Sequence, residues 1–267
     1  MPIKYTEYGK NTNNKHVLFV HGLGASSLAW RDIPYALSLS NNFHTITVDL
    51  IGFGESDKPL EGDYTIKGFS KFIANFLKEE IKIGENEKIS IVGHSLGGYI
   101  AAQFAIENRK RIEKLVLIDS SGLLEKPTPL LEQYLDAAME IEPVLRYKKL
   151  KRVLGAIYAD PSFMPPVVVD KFVEIIIKEG ARNAFEKAYE NSTRTRIELE
   201  GFQQIQDVPC LLIWGEKDNL IPIEYCDKFK QNLSESKTQN VIIKDTGHAP
   251  FVERTALVYE KLRTFLS

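Results

Sequence analysis

The segment Gly93-His94-Ser95-Leu96-Gly97-Gly98 sets a serine between glycines two residues to either side. It follows the β-branched run Lys88-Ile89-Ser90-Ile91-Val92 directly and precedes a stretch from Tyr99 with helical spacing. A strand driven sharply into a helix leaves the apex residue in a strained backbone with its side chain standing off the sheet. The flanking glycines remove the Cβ atoms that would collide there. The helix start also brings amide N–H groups and the positive end of the helix dipole beside Ser95. Such a setting suits a nucleophilic hydroxyl whose reaction develops negative charge, as acyl transfer does. The competing reading of the same residues is a glycine-rich turn whose serine only caps the helix.

Elements of a definite kind must hold such a turn. The runs His16–Val20, His44–Val48, Lys88–Val92, Lys114–Ile118, Pro209–Trp214 and Asn240–Lys244 are apolar almost throughout, the pattern of strands covered on both faces. Between them, Thr65–Ile81, Tyr99–Asn108 and Val252–Leu266 carry apolar residues at helical spacing. Strands alternating with helices predict the α/β class, with a mostly parallel, doubly wound sheet. The alternation stops between residues 123 and 201, where the pattern is helical and punctuated by prolines, with one helix expected to start near Pro166. The expected organisation is a core from residues 1–122 and 202–267, with 123–201 inserted as a helical cap.

Composition narrows the chemistry. Lys and Arg total 34 against 36 for Asp and Glu, which leaves no basic excess for a nucleic-acid partner. The segment Met1–Glu7 has no apolar leader core, and no apolar run is long enough for a membrane span, so a cytoplasmic protein is expected. Cys210 and Cys226 form neither a disulfide framework nor a zinc pattern and read as inert packing residues. With no HExxH, Walker loop or helix-opening GxGxxG, neither a metal nor another cofactor is expected. The chemistry falls to side chains.

In its strand and helix context the Ser95 turn resembles the nucleophile turn of the α/β-hydrolase superfamily, and the resemblance extends over nearly the whole chain outside the cap. Val17-Leu18-Phe19-Val20-His21-Gly22-Leu23-Gly24 is similar to the family's oxyanion segment. The resemblance implies that the backbone N–H groups of Leu23 and Leu96 form the oxyanion hole. Of the five histidines, His16 and His44 begin strands, His21 reads as structural, and His94 neighbours Ser95 on a turn where adjacent side chains diverge. His248, in Lys244-Asp245-Thr246-Gly247-His248-Ala249-Pro250 after the last strand, matches the position of the family's general base. Asp218, reached from Cys210–Trp214 through Gly215-Glu216-Lys217, resembles the family's acid and gives the chain order Ser, Asp, His. Asp119 is its rival, because it ends the strand Leu115–Ile118, an edge from which some relatives deliver the acid. Asp49–Pro59 is also similar to a family segment, but its glycines, Pro59 and Asp49 read as turn construction without a catalytic role.

Serine at position 95 argues against the dehalogenase and epoxide hydrolase branches, which place aspartate there. The resemblance therefore implies acyl transfer to water from a small-molecule ester or thioester. Gly247-His248-Ala249-Pro250-Phe251 looks like the segment of small carboxylesterases and differs from the Gly-His-Trp of the carbon–carbon bond hydrolases of ring cleavage, the enzymatic alternative. A small-molecule receptor that keeps the triad is the alternative of another class. Leu130, Leu131, Tyr134, Met139, Leu145, Tyr158, Phe163 and Met164 supply the cap's apolar residues. A share of them facing inward predicts a pocket for neutral acyl chains of short to medium length. The sequence sets no oligomeric state.

Overall fold

In the computed structural model, which describes residues 2–9, 15–41 and 43–267, the apolar runs become strands. After a first strand outside those runs, β1 (Tyr5–Tyr8), they are β2 (His16–Val20), β3 (His44–Val48), β4 (Ile89–His94), β5 (Ile112–Ile118), β6 (Cys210–Gly215) and β7 (Thr238–Ile243). All join one sheet in the order β1-β3-β2-β4-β5-β6-β7, parallel throughout except for β1 against β3. This is the doubly wound α/β architecture the alternation predicts.

The helices are α1 (Ile33–Asn41), α2 (Ile66–Glu79), α3 (Leu96–Glu107), α4 (Pro129–Met139), α5 (Pro143–Ala156), α6 (Val168–Ile176), α7 (Ala181–Arg194), α8 (Leu199–Gln203), α9 (Glu224–Asn232), α10 (Pro250–Glu253) and α11 (Thr255–Leu266). Strand alternation sorts the core into two layers. Leu18, Ile91, Leu115 and Leu212 pack with Phe69 and Ile73 of α2, Ile100 of α3 and Phe229 of α9. Val17, Phe19, Val116 and Ile213 point the other way, onto Ile33 and Leu37 of α1 and Val258 and Leu262 of α11. Thr65 starts α2 by accepting the Gly68 N–H at 2.9 Å, and α2 then buries Ile66, Phe69, Ile73, Phe76 and Leu77 as one stripe.

Between β5 and β6, residues 123–201 hold α4 to α7 and the start of α8, and among the described residues no strand. Thr128 and Glu142 cap α4 and α5, and each helix opens on proline. The helix expected from Pro166 begins at Val168, two residues later.

The sheet edges depart from the sequence reading. β1 is half-buried along its length and its Thr and Glu leave no apolar run to read. In β7 only Ile243 is buried while Gln239 and Asn240 face solvent, so that run is an edge and is not covered on both faces. Val252–Leu266 breaks at Arg254 (φ −135°, ψ 52°) into α10 and α11. Among the described residues no helix is long and apolar enough to cross a membrane. Cys210 and Cys226 are buried, and burial pushes both thiols up to about 12.

Candidate active site

β4 gives way to α3 at Ser95, whose backbone sits at φ 54°, ψ −121°, a conformation costing a non-glycine residue on the order of 1–3 kcal/mol. The glycine spacing has a direct cause. A Cβ on Gly93 would lie 2.2 Å from the Gly97 carbonyl oxygen, and one on Gly97 would lie 2.2 Å from that of Val20. The Ser95 N–H donates to the Ile118 carbonyl at 3.0 Å, and the Ser95 carbonyl accepts the N–H groups of Gly98 and Ser121 at 2.9 and 3.1 Å. The turn is thus clamped between the ends of β4 and β5.

The segment Val17–Gly24 lies against it: a Cβ on Gly22 would fall 3.0 Å from the Cβ of Ser95. His21 accepts the Leu50 N–H on Nε2 at 3.0 Å, which puts its proton on Nδ1 for the Gly22 carbonyl at 2.8 Å. His21 is structural, as read. Asp49 accepts the Ser27 and Glu55 N–H groups at 2.7 and 2.8 Å and builds its turn as expected. Among the described residues neither the Leu23 nor the Leu96 N–H donates to a turn, loop or side-chain acceptor.

His248 and Asp218 meet across the end of the sheet. Asp218 Oδ1 accepts the Leu220 and Ile221 N–H groups at 2.8 and 2.9 Å, and Oδ2 faces His248 Nδ1 at 2.7 Å. A carboxylate holding two amides is an acceptor, so the imidazole proton sits on Nδ1 and the lone pair on Nε2. Nε2 is buried without a hydrogen-bond partner, so the structure brings Asp218 and His248 into contact and leaves the Ser95–His248 hydrogen bond unformed. Ser95 itself is buried at 8% exposure.

His94 was expected to diverge from the site. Its ring instead packs 4.7 Å from that of His248 and against Phe251 and Trp30, and its Nε2 donates to the His248 carbonyl at 2.7 Å. Burial holds His94 well below the usual histidine range, with the neighbouring His248 acting in the same direction.

Three further residues bear on the site without having been singled out for these contacts. Glu253 Oε1 accepts the Gly247 N–H at 2.7 Å and Oε2 the Ala159 N–H at 2.9 Å, while the His248 N–H donates to the Ile157 carbonyl at 2.7 Å. The loop that carries His248 is therefore tied to residues 157–159 of the segment between β5 and β6. Tyr134, read only as an apolar cap residue, donates its hydroxyl to the Leu23 carbonyl at 3.1 Å. With Phe172 and Phe185 it roofs Gly24, where a Cβ would meet the three at 2.4, 2.6 and 2.9 Å. Asp119, the rival acid, is fully buried at φ 44° and accepts the Gly215 N–H at 2.8 Å beside Asp218, without contacting His248 as an acid would. Of the other apolar residues of which a share was expected to face inward, Leu131 and Tyr158 are buried, whereas Leu145 and Phe163 face solvent.

Asp119, Asp218 and His248 bring three metal-ligating side chains within 4.8 Å, but His248 Nδ1 and both Asp218 oxygens are already committed to one another and to backbone amides. That is the donor pattern of a carboxylate–imidazole pair.

The family model described as alpha/beta hydrolase fold matches residues 15–255. Lipase 1 of Psychrobacter immobilis is 28% identical over 269 residues, spanning 98% of this chain and 80% of that protein. The 2-hydroxy-6-oxo-2,4-heptadienoate hydrolase of Pseudomonas putida is 25% identical over 260 residues, with 94% and 88% covered. Among solved structures, a meta-cleavage product hydrolase from Pseudomonas fluorescens IP01 superimposes with a TM-score of 0.82 at 20% identity, covering 98% of this chain and 93% of that one, a likeness of fold.

Proposed function

The chain belongs to the alpha/beta hydrolase fold family, and from that premise we propose that it is a serine hydrolase of small carboxylic esters, with Ser95 as nucleophile, His248 as general base and Asp218 as acid. The N–H groups of Leu23 and Leu96 form the oxyanion hole, and residues 123–201 form the cap. The observation that carries this reading is the Asp218–His248 pair at 2.7 Å, whose Nε2 is buried without a hydrogen-bond partner and whose ring packs 4.7 Å from that of His94, the residue before the strained Ser95 turn.

Ser95 Oγ attacks the ester carbonyl carbon and its proton passes to His248 Nε2. The carbonyl oxygen becomes an oxyanion, which the backbone N–H groups of Leu23 and Leu96 receive. Collapse breaks the bond to the alcohol, which leaves with the proton from Nε2. Water, giving its proton to the same nitrogen, then attacks the acyl-enzyme; the acid departs and Ser95 recovers its proton. Asp218 keeps the proton of the resting imidazole on Nδ1 throughout.

Similarity to the Psychrobacter lipase supports ester hydrolysis. Similarity to the Pseudomonas putida dienoate hydrolase supports, to the same extent, a second reading in which the same residues serve cleavage of a carbon–carbon bond. An initial-rate panel separates the two: nitrophenyl esters from acetyl to palmitoyl, one thioester and one ring-cleavage dienone. The roof of Tyr134, Phe172 and Phe185 favours enclosed acyl chains. Each methylene that fits is worth about 0.8 kcal/mol, roughly fourfold in kcat/KM, so the optimum is expected near butyryl or hexanoyl. A panel won by the palmitoyl ester, or by the dienone alone, overturns the small-ester reading. Ser95→Ala is expected to abolish turnover with an unchanged circular dichroism spectrum, and a fluorophosphonate to label Ser95 alone. Turnover surviving within about tenfold would remove Ser95 from the mechanism.

A further inference from the structure

We propose that Asp119 keeps a proton on Oδ2 and donates it to the Asp218 carboxylate, so that the two side chains act as one carboxyl–carboxylate pair and Asp119 is a positioning residue for the acid. This rests on reading Asp218 as the partner of His248. Asp119 stands at the end of β5 and Asp218 in the loop after β6, and both are buried. An oxygen of each carboxyl group lies within 4.8 Å of an oxygen of the other. Asp119 Oδ1 is occupied by the Gly215 N–H at 2.8 Å, whereas Oδ2 is buried and meets no donor. An oxygen in that position is satisfied if it carries a proton and Asp218 accepts it.

The charges around the pair point the same way. Asp119 faces Asp218 from the loop after β6, Glu253 from α10 and the Cys226 thiol from α9, and none of these supplies a positive charge. His248 is neutral in the resting state of the proposed mechanism. Two adjacent buried carboxylates without a cation do not both ionise. The proton settles on Asp119 because Asp218 receives three donors, the Leu220 and Ile221 amides and the imidazole, against one for Asp119. Burial and the Asp218 charge together raise the Asp119 carboxyl well above the usual carboxylate range. As a fourth donor to Asp218, the Asp119 hydroxyl fixes the carboxylate plane that faces the imidazole and moderates its basicity.

The test compares Asp119→Asn, Asp119→Ala and wild type by the pH profile of kcat/KM and by infrared spectroscopy. Alanine removes the donor and strands the Gly215 N–H, so kcat is expected to fall by about tenfold or more, with the acid limb moving upward as Asp218 becomes more basic. Asparagine supplies a donor for Asp218 and an acceptor for Gly215 without charge, and is expected to restore most of that loss with the limb back in place. Were Asp119 ionised, Asp119→Asn would delete a negative charge beside the imidazole and move the limb down by about one pH unit or more, which would overturn the proposal. At neutral pH the wild type should show a carboxylic-acid C=O stretch that Asp119→Asn lacks. Its absence also overturns the proposal. The infrared readout needs neither turnover nor a folded alanine variant, so a failed substrate panel leaves this test intact.

Discussion

Replacing Glu253 by glutamine removes one of the two acceptors that hold the base loop against residues 157–159. The Glu253 carboxylate takes the Gly247 N–H on one oxygen and the Ala159 N–H on the other, in a site where the side chain is 5% exposed. Glutamine can satisfy one of these amides and must point its own NH2 at the other. An unsatisfied buried N–H costs about 1–3 kcal/mol, and losing a charge-assisted bond adds to it. Part is returned, because burial already disfavours the ionised carboxyl and raises it above its ordinary range. A net loss of about 2 kcal/mol follows, which for a chain of this size lowers Tm by roughly 4–8 °C. The kinetic effect follows from what the loop carries: the His248 N–H shares the same anchor through Ile157, and a displacement of about 1 Å at a catalytic group can cost 10²-fold. Butyryl-ester hydrolysis measured well below Tm should therefore fall roughly ten- to a hundredfold, mostly in kcat, alongside a lower midpoint in denaturant unfolding. A variant with wild-type midpoint and kcat would show that the carboxylate holds nothing. A lower midpoint with unchanged kcat would confine it to stability.

Asp218→Asn is expected to cost on the order of 10⁴ in kcat, as in a well-studied triad, because the asparagine oxygen still accepts the Leu220 and Ile221 amides while its NH2 forces the imidazole proton onto Nε2. A loss of less than about tenfold would contradict the tautomer role. Stability should fall as the solution is acidified through the histidine range. His94 and His21 are buried and burial lowers their affinity for protons, so below an unfolded value of about 6.5 the unfolded chain binds protons that the folded one resists. Asp119 acts in the opposite direction, because its buried carboxyl holds a proton that the unfolded chain gives up above about 3.9, and it offsets part of the histidine effect. The unfolding free energy from denaturant titrations should therefore drop between pH 6 and 5, by less than the two protons' worth of about 2.8 kcal/mol per unit. A flat profile would mean that the two rings are charged in the fold or open easily.

What the sequence made legible follows from where burial is uniform. β2, β3, β4 and β6 are buried at every position, so their runs are apolar and their ends fall within two residues of the expectation. β1 and β7 lie at the edges and alternate or mix polarity, so one left no signal and the other was read as interior. α9 buries only Cys226 and Phe229, too little for a periodic stripe. The Ser95 turn was legible because its glycines are demanded by backbone contacts that any such turn must make. The Asp218–His248 contact was legible only through family resemblance, since the residues are 30 apart and nothing local couples them. Glu253 and the inward turn of His94 were not legible, because a carboxylate or imidazole acquires its role from the tertiary neighbours that bury it.

The insertion between β5 and β6 is bonded to both loops that would carry the chemistry. Tyr134 of α4 holds the Leu23 carbonyl, and residues 157–159 hold the backbone of the base loop through Ile157, Ala159 and Glu253. If residues 123–201 select the substrate, as proposed, then the groups that select it and the groups that react are joined by direct hydrogen bonds. Changes in this insertion then divide by location. Substitutions at Phe172 or Phe185, which touch Gly24 only through their rings, act on the size of the acyl group accepted and so on KM for long chains. Changes at Tyr134 or along residues 157–159 shift the oxyanion turn or the imidazole relative to Ser95 and so act on kcat for every substrate alike. On this division the size of the acyl group accepted can change through Phe172 and Phe185 while the attachments of the roof, and with them kcat, stay the same.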